Sequence, residues 1–134
     1  MPDVLLATDA DWIHDEVDAA LADGDTAVVR VRSGREVLQV IHEVSPGLLV
    51  LDLQIGNMGG IATAITVQQE FEGDESDRPP ILLLLDRPAD VPLVRRIDVE
   101  GWLVKPHDAI RLRRAARSQL AGDVFHEPSG LAAL

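Results

Sequence analysis

Residues 46–60 read Pro46-Gly47-Leu48-Leu49-Val50-Leu51-Asp52-Leu53-Gln54-Ile55-Gly56-Asn57-Met58-Gly59-Gly60. Four apolar residues end abruptly in a carboxylate, and three glycines follow within eight positions. A short apolar run bounded by turn residues suits a strand buried on both faces, as in a parallel sheet. A carboxylate at the C-terminal end of such a strand lies where open α/β sheets place their ligands. Asp is also an ordinary turn residue, so Asp52 on its own reads equally well as a cap. The sequence on either side has to decide.

Upstream, Val4–Thr8 is an apolar run closed by Asp9-Ala10-Asp11, and a helical pattern starts at Trp12 with Ile13, Val17, Ala20 and Leu21. Residues 26–32 are strand-like, and Ser33-Gly34-Arg35-Glu36 has the form of a capping box. The helix that follows carries Val37, Leu38, Val40, Ile41 and Val44 and stops at Ser45-Pro46-Gly47. Downstream, Ile61–Phe71 has helical period, residues 73–78 form a polar loop, and Pro79-Pro80 leads into a buried strand, Ile81–Leu85. Pro88 and Pro92 confine the next helix to about Leu93–Val99. Gly101–Val104 is a brief strand ending at Lys105-Pro106, and Asp108 caps a last helix that runs to Leu120. The glycines at 56, 59 and 60 read as turn residues with positive φ. Strands alternating with helices predict an α/β fold: a three-layer, doubly wound, five-stranded parallel sheet. One domain spans 1–121, and 122–134 reads as a flexible tail.

Composition narrows the function. The 134 residues are 46% hydrophobic but only 3% aromatic, so the core is aliphatic. A net charge of −11 argues against a nucleic-acid partner. No apolar run is long enough to span a membrane, and the N-terminus has no signal-peptide pattern, so a cytoplasmic location is expected. Without cysteine there is no thiol or disulfide chemistry. His14, His42, His107 and His126 lack metal-ligand spacing and read as structural or solvent residues. No Gly-x-Ser-x-Gly motif or glycine-rich nucleotide loop is present, so a non-enzymatic role is expected.

In a parallel sheet every strand ends on one rim. Asp9, Asp52 and Lys105, the only lysine of the chain, therefore converge there. Two carboxylates suit Mg²⁺, and an ammonium suits the charge of a phosphoryl group added to Asp52.

These residues carry a family resemblance. The run Asp52 to Gly60 resembles the Asp-Leu-x-Met-Pro-x-Met-Asp-Gly of response regulator receiver domains, and Leu103-Val104-Lys105-Pro106 resembles their Leu-x-Lys-Pro. The resemblance spans about residues 3–121 and implies the flavodoxin-like, CheY-like strand order 2-1-3-4-5. It implies that Asp52 is the phosphoacceptor and that Asp9, Asp52 and the Gln54 backbone carbonyl hold Mg²⁺. Lys105 would contact the phosphoryl group and precede a cis proline. Three positions depart from the pattern. Receivers usually end the first strand with two acids, and the first place here holds Thr8, which should weaken Mg²⁺ binding. The switch hydroxyl of the fourth strand is replaced by Leu85, and Asp86 beside it would repel a phosphoryl group if turned inward. The switch aromatic is Trp102.

The expected function is that of a single-domain response regulator in two-component phosphorelay signalling, phosphorylated on Asp52 by a sensor histidine kinase or phosphotransfer protein. It would act on an output protein through contacts. The alternative is a pseudo-receiver, an interaction module that works without phosphorylation. Arg111, Arg113, Arg114 and Arg117 make the last helix basic in an acidic chain. The helix 4–strand 5–helix 5 face is therefore a candidate surface for an acidic partner or a homodimer.

Overall fold

Two interleaved rows of apolar side chains organise the sheet. In each strand, successive side chains point to opposite faces. Odd-numbered Leu5, Ala7, Leu49, Leu51, Ile81, Leu83 and Leu85 pack in one cluster, while Val4, Leu6, Leu48, Val50, Leu82, Leu84 and Leu103 pack in another. Each face needs its own cover, which is why runs such as Leu48–Leu51 and Ile81–Leu85 are continuously apolar.

The computed structural model describes residues 3–55, 59–105 and 107–127. Its order is β1 (Val4–Ala7), α1 (Asp11–Leu21), β2 (Val28–Val31), α2 (Val37–Val44), β3 (Leu48–Asp52), α3 (Gly60–Glu70), β4 (Ile81–Leu85), α4 (Val91–Arg95), β5 (Gly101–Val104), α5 (Ala109–Leu120) and β6 (Phe125–His126). The strands lie in the order β2-β1-β3-β4-β5-β6, and every described pairing is parallel. Ile13, Val17, Leu112, Ala115 and Ala116, from α1 and α5, cover the face that carries Leu6, Val50, Leu84 and Leu103. Val37, Ile41, Ala64, Val67, Val91 and Val94, from α2, α3 and α4, cover the other. The α/β doubly wound architecture and the 2-1-3-4-5 order are as expected.

Four details differ from the sequence reading. A sixth strand extends the sheet where a tail was expected, because Phe125 N bonds Glu100 O at 2.9 Å and the segment pairs along β5. Ser33 makes no side-chain cap; a 3₁₀ turn over Gly34–Glu36 precedes α2, and Glu36 Oε2 accepts from Arg32 N at 3.2 Å instead. Pro88 opens a 3₁₀ turn (Pro88–Asp90), so α4 begins earlier than expected and is only five residues long. Gly59 has φ −61° and Gly60 is helical, so neither needs positive φ. The constraint at Gly60 is space: a Cβ there would lie 2.6 Å from Asp52 O. The expected tail beyond residue 127, the Gly56 turn and the Pro106 peptide bond lie outside the described residues.

Candidate functional site

The alternation that sorts the core continues one step beyond the strands. Leu6 leads to Thr8, Val50 to Asp52, Leu84 to Asp86 and Leu103 to Lys105, all in register with the face that α1 and α5 cover. Neighbouring strands are also paired so that their ends coincide: Ala7 faces Leu51, Asp52 faces Leu84, and Leu85 faces Val104. The four polar side chains therefore meet at one point of the rim.

Asp52 is 2% exposed. Lys105 Nζ donates to Asp52 Oδ1 at 2.5 Å and to Asp86 Oδ1 at 2.8 Å. The buried Thr8 hydroxyl donates to Asp52 Oδ2 at 2.8 Å and accepts from Ala10 N at 3.1 Å. Gln54 joins both carboxylates: its backbone N–H donates to Asp52 Oδ1 at 3.3 Å and its Nε2 to Asp86 Oδ2 at 2.8 Å. Each oxygen of Asp52 and of Asp86 thus accepts at least one hydrogen bond. A buried carboxylate is tolerated only with such partners.

The electrostatics follow from this geometry. Burial alone would lower the pKa of Lys105, but hydrogen bonds and charges from Asp52 and Asp86 outweigh it and hold the ammonium above its ordinary 10.5. Burial alone would raise that of Asp86, but Lys105 and Gln54 outweigh it and keep the carboxyl below its ordinary 3.8. A raised lysine contributes stability that is complete below its unfolded pKa and lost as pH rises through the folded one. A depressed carboxyl contributes above its unfolded pKa and loses that contribution as pH falls through the folded one. The network is therefore intact at neutral pH and fails at both extremes. Urea titrations should show Asp86→Asn losing less stability than the parent chain between about pH 5 and pH 3. Parallel losses would rule out a depressed Asp86.

The sequence-predicted residues divide into two groups. Asp52 and Lys105 are brought together. Asp9 is exposed and takes no hydrogen bond or ion pair from the described residues. Leu85 is fully buried on the opposite face, in the same cluster as Trp102, so the two positions expected to form a switch are core residues. Trp102 is 2% exposed, stacks on His126 at 4.1 Å and donates its indole N–H to Glu127 O. The sequence suggested Asp86 only as a neighbour of Leu85 that would repel a phosphoryl group if turned inward, and Thr8 only as the place of a missing acid. Counting in steps of two from Leu82 would have put Asp86 beside Asp52.

For Mg²⁺ the donor set is a poor fit. Both Asp52 oxygens already accept hydrogen bonds, and Asp86 is held on Lys105 and Gln54. Among the described residues no three acidic or histidine side chains cluster as a metal site. A cation at Asp52 would have to share oxygens already bonded to Thr8, Gln54 and Lys105, with Asp9 as the carboxylate at this rim that has no partner among the described residues.

A family model described as the response regulator receiver domain matches residues 4–117. The chain is 28% identical to the transcriptional regulatory protein AfsQ1 of Streptomyces coelicolor over 108 residues, 79% of this chain and 45% of that protein. It thus spans less than half the length of this curated relative. Among solved structures it resembles the chemotaxis response regulator CheY4 of Vibrio cholerae, with a TM-score of 0.74, 24% identity, and coverage of 87% of this chain and 97% of that one. It also resembles the signal receiver domain of a signal transduction histidine kinase from Syntrophus aciditrophicus, with a TM-score of 0.77, 22% identity, and coverage of 91% and 92%. At these identities the structural likeness concerns the fold alone. No helix among the described residues is long and apolar enough to cross a membrane.

Proposed function

Because the chain belongs to the response regulator receiver family, we propose that it is a signalling module that works through protein contacts, with Asp52 held in a closed charge network and not used as an exchanging phosphoryl acceptor. The observation that carries this reading is Asp86. Its carboxylate bonds Lys105 at 2.8 Å, so the ammonium that would neutralise a phosphoryl group already bridges two carboxylates. An added phosphoryl group would bring further negative charge beside Asp86 into a site where like charges repel. Thr8 closes the other side of Asp52 with a hydroxyl where an acid would have held a cation.

In this reading the partner surface is the exposed side of α5. Ile110, Arg113, Arg114 and Arg117 share one helical face and line an open cavity of about 450 Å³. Arg114 and Arg117 form no ion pair among the described residues, which leaves their charge available to an acidic protein partner. A sensor histidine kinase, a phosphotransfer protein or an output protein of two-component signalling would dock there without chemistry at Asp52.

A second reading keeps Asp52 as acceptor, favoured by its position at the end of β3 beside Lys105 and by the unengaged carboxylate of Asp9. One experiment separates the two. The chain is incubated with Mg²⁺ and acetyl phosphate, and in parallel with beryllofluoride, then followed by intact mass and tryptophan emission. Unchanged mass and emission are expected. A mass gain present in the parent chain and absent from Asp52→Asn would overturn the closed-network reading.

A further inference from the structure

The last described residues form a strap across the open edge of β5. Phe125 and His126 pair with Gly101 and Trp102, and the ladder is only two residues long. Most of the remaining hold comes from Glu127. Its carboxylate accepts from Val104 N at 2.8 Å and from Arg111 Nε at 2.9 Å, with a second bond from Arg111 Nη2, while its carbonyl accepts from the Trp102 indole. Arg111 also donates to Val104 O at 2.9 Å, so the ion pair caps the exposed backbone at the end of β5. Together with His126 stacking, the strap keeps Trp102 at 2% exposure.

The connection to α5 is a four-residue hinge, residues 121–124, exposed throughout. It turns at Gly122, where φ is +90° and a Cβ would meet nothing within 4 Å beyond its chain neighbours. The turn therefore depends on backbone conformation and not on packing. Every strap contact is with a residue at least 16 positions away, except those of the hinge itself. A second copy of the chain presents identical partners. An edge strand with unpaired backbone groups and an uncovered tryptophan is a template for such pairing.

We propose that residues 125–127 are a detachable strap, and that the surface beneath it, the β5 edge with Trp102 and Arg111, accepts the same three residues of a second copy in a reciprocal strand-exchanged dimer. Straightening of the hinge takes the strap beyond its own β5 and delivers it to a partner. The ion pair between Arg111 and Glu127 then forms between chains and not within one. The exchange is independent of the charge state of Asp52.

The test uses two charge reversals in full-length chain carrying Trp12→Phe, so that Trp102 is the remaining tryptophan. In Arg111→Glu alone the strap carboxylate faces a carboxylate, and in Glu127→Arg alone it is a guanidinium facing Arg111. Each variant should be a folded monomer with red-shifted Trp102 emission. Mixed in equal amounts, the two should form a heterodimer by light scattering and recover the buried emission, because reciprocal exchange restores opposite charges at both ends. The double variant Arg111→Glu/Glu127→Arg should regain buried emission within a single chain, which separates strap release from failure to fold. A mixture that stays monomeric up to roughly 100 µM would overturn exchange. Unchanged Trp102 emission in either single variant would overturn the ion pair as the strap's anchor, and so would dimerisation of either variant alone.

Discussion

Lys105→Met should destabilise the fold by about 3–5 kcal/mol, the range for removing one partner of a buried ion pair. The Lys105 side chain is 11% exposed, and its ammonium lies between Asp52, 3% exposed at its side chain, and Asp86. Without it two carboxylates face one another with only Thr8 and Gln54 as donors among the described residues. The cost comes from the uncompensated charge and not from lost attraction. Removing one of those charges as well should therefore restore part of the loss. Lys105→Met/Asp52→Asn should be more stable in urea than Lys105→Met. If the double variant is the weaker of the two, Lys105 is held mainly by packing of its aliphatic stem, and the charge network is not what stabilises the rim.

The second large effect is expected at Gly60, and it comes from sterics. A Cβ at this position would sit 2.6 Å from Asp52 O, 2.9 Å from Leu53 Cα and 3.1 Å from Asp52 C, all of them backbone atoms that cannot rotate away. The connection from β3 to α3 would have to open, moving Asp52 with it. Gly60→Ala should cost about 1–3 kcal/mol, as overpacking does, in spite of the better helix propensity of alanine. Its neighbour supplies the control. Gly59 has φ −61°, and a Cβ there meets nothing nearer than Leu53 O at 3.8 Å. Gly59→Ala should stay within about 1 kcal/mol of the parent chain, the scale of a changed helix cap. Thermal melts that rank the two substitutions the other way would contradict the close approach at Gly60.

The contrast between the two glycines shows what the amino-acid sequence could and could not convey. Both were legible as loop residues after β3, but positive φ and backbone proximity leave the same letter in a sequence. The same limit applies at the rim. Continuous apolar runs of four and five residues made β3 and β4 plain, and the carboxylate and ammonium at strand ends marked Asp52 and Lys105 as neighbours. The family pattern drew attention to Leu85, because a hydroxyl is usual there. Alternation along β4 instead turns Leu85 into the core and Asp86 toward Lys105. Strand β6 carried no legible signal, since two residues are too few to establish a period. It is defined by what β5 and Arg111 offer Phe125, His126 and Glu127.

Central strand β4 has a further consequence, for the chain before it folds. Ile81–Leu85 is a run of aliphatic residues, each fully buried in the native sheet, with neighbours on both sides. On a nascent or partly unfolded chain the same five residues are a sticky, uncharged segment able to seed intermolecular β-structure. It is bracketed by Pro79-Pro80 before and Asp86-Arg87 after, the residue types that interrupt cross-β stacking. Asp86 therefore acts at two stages of the molecule's life. While the chain is unfolded it guards an aggregation-prone segment, and once β4 is in place it becomes the second carboxylate on Lys105.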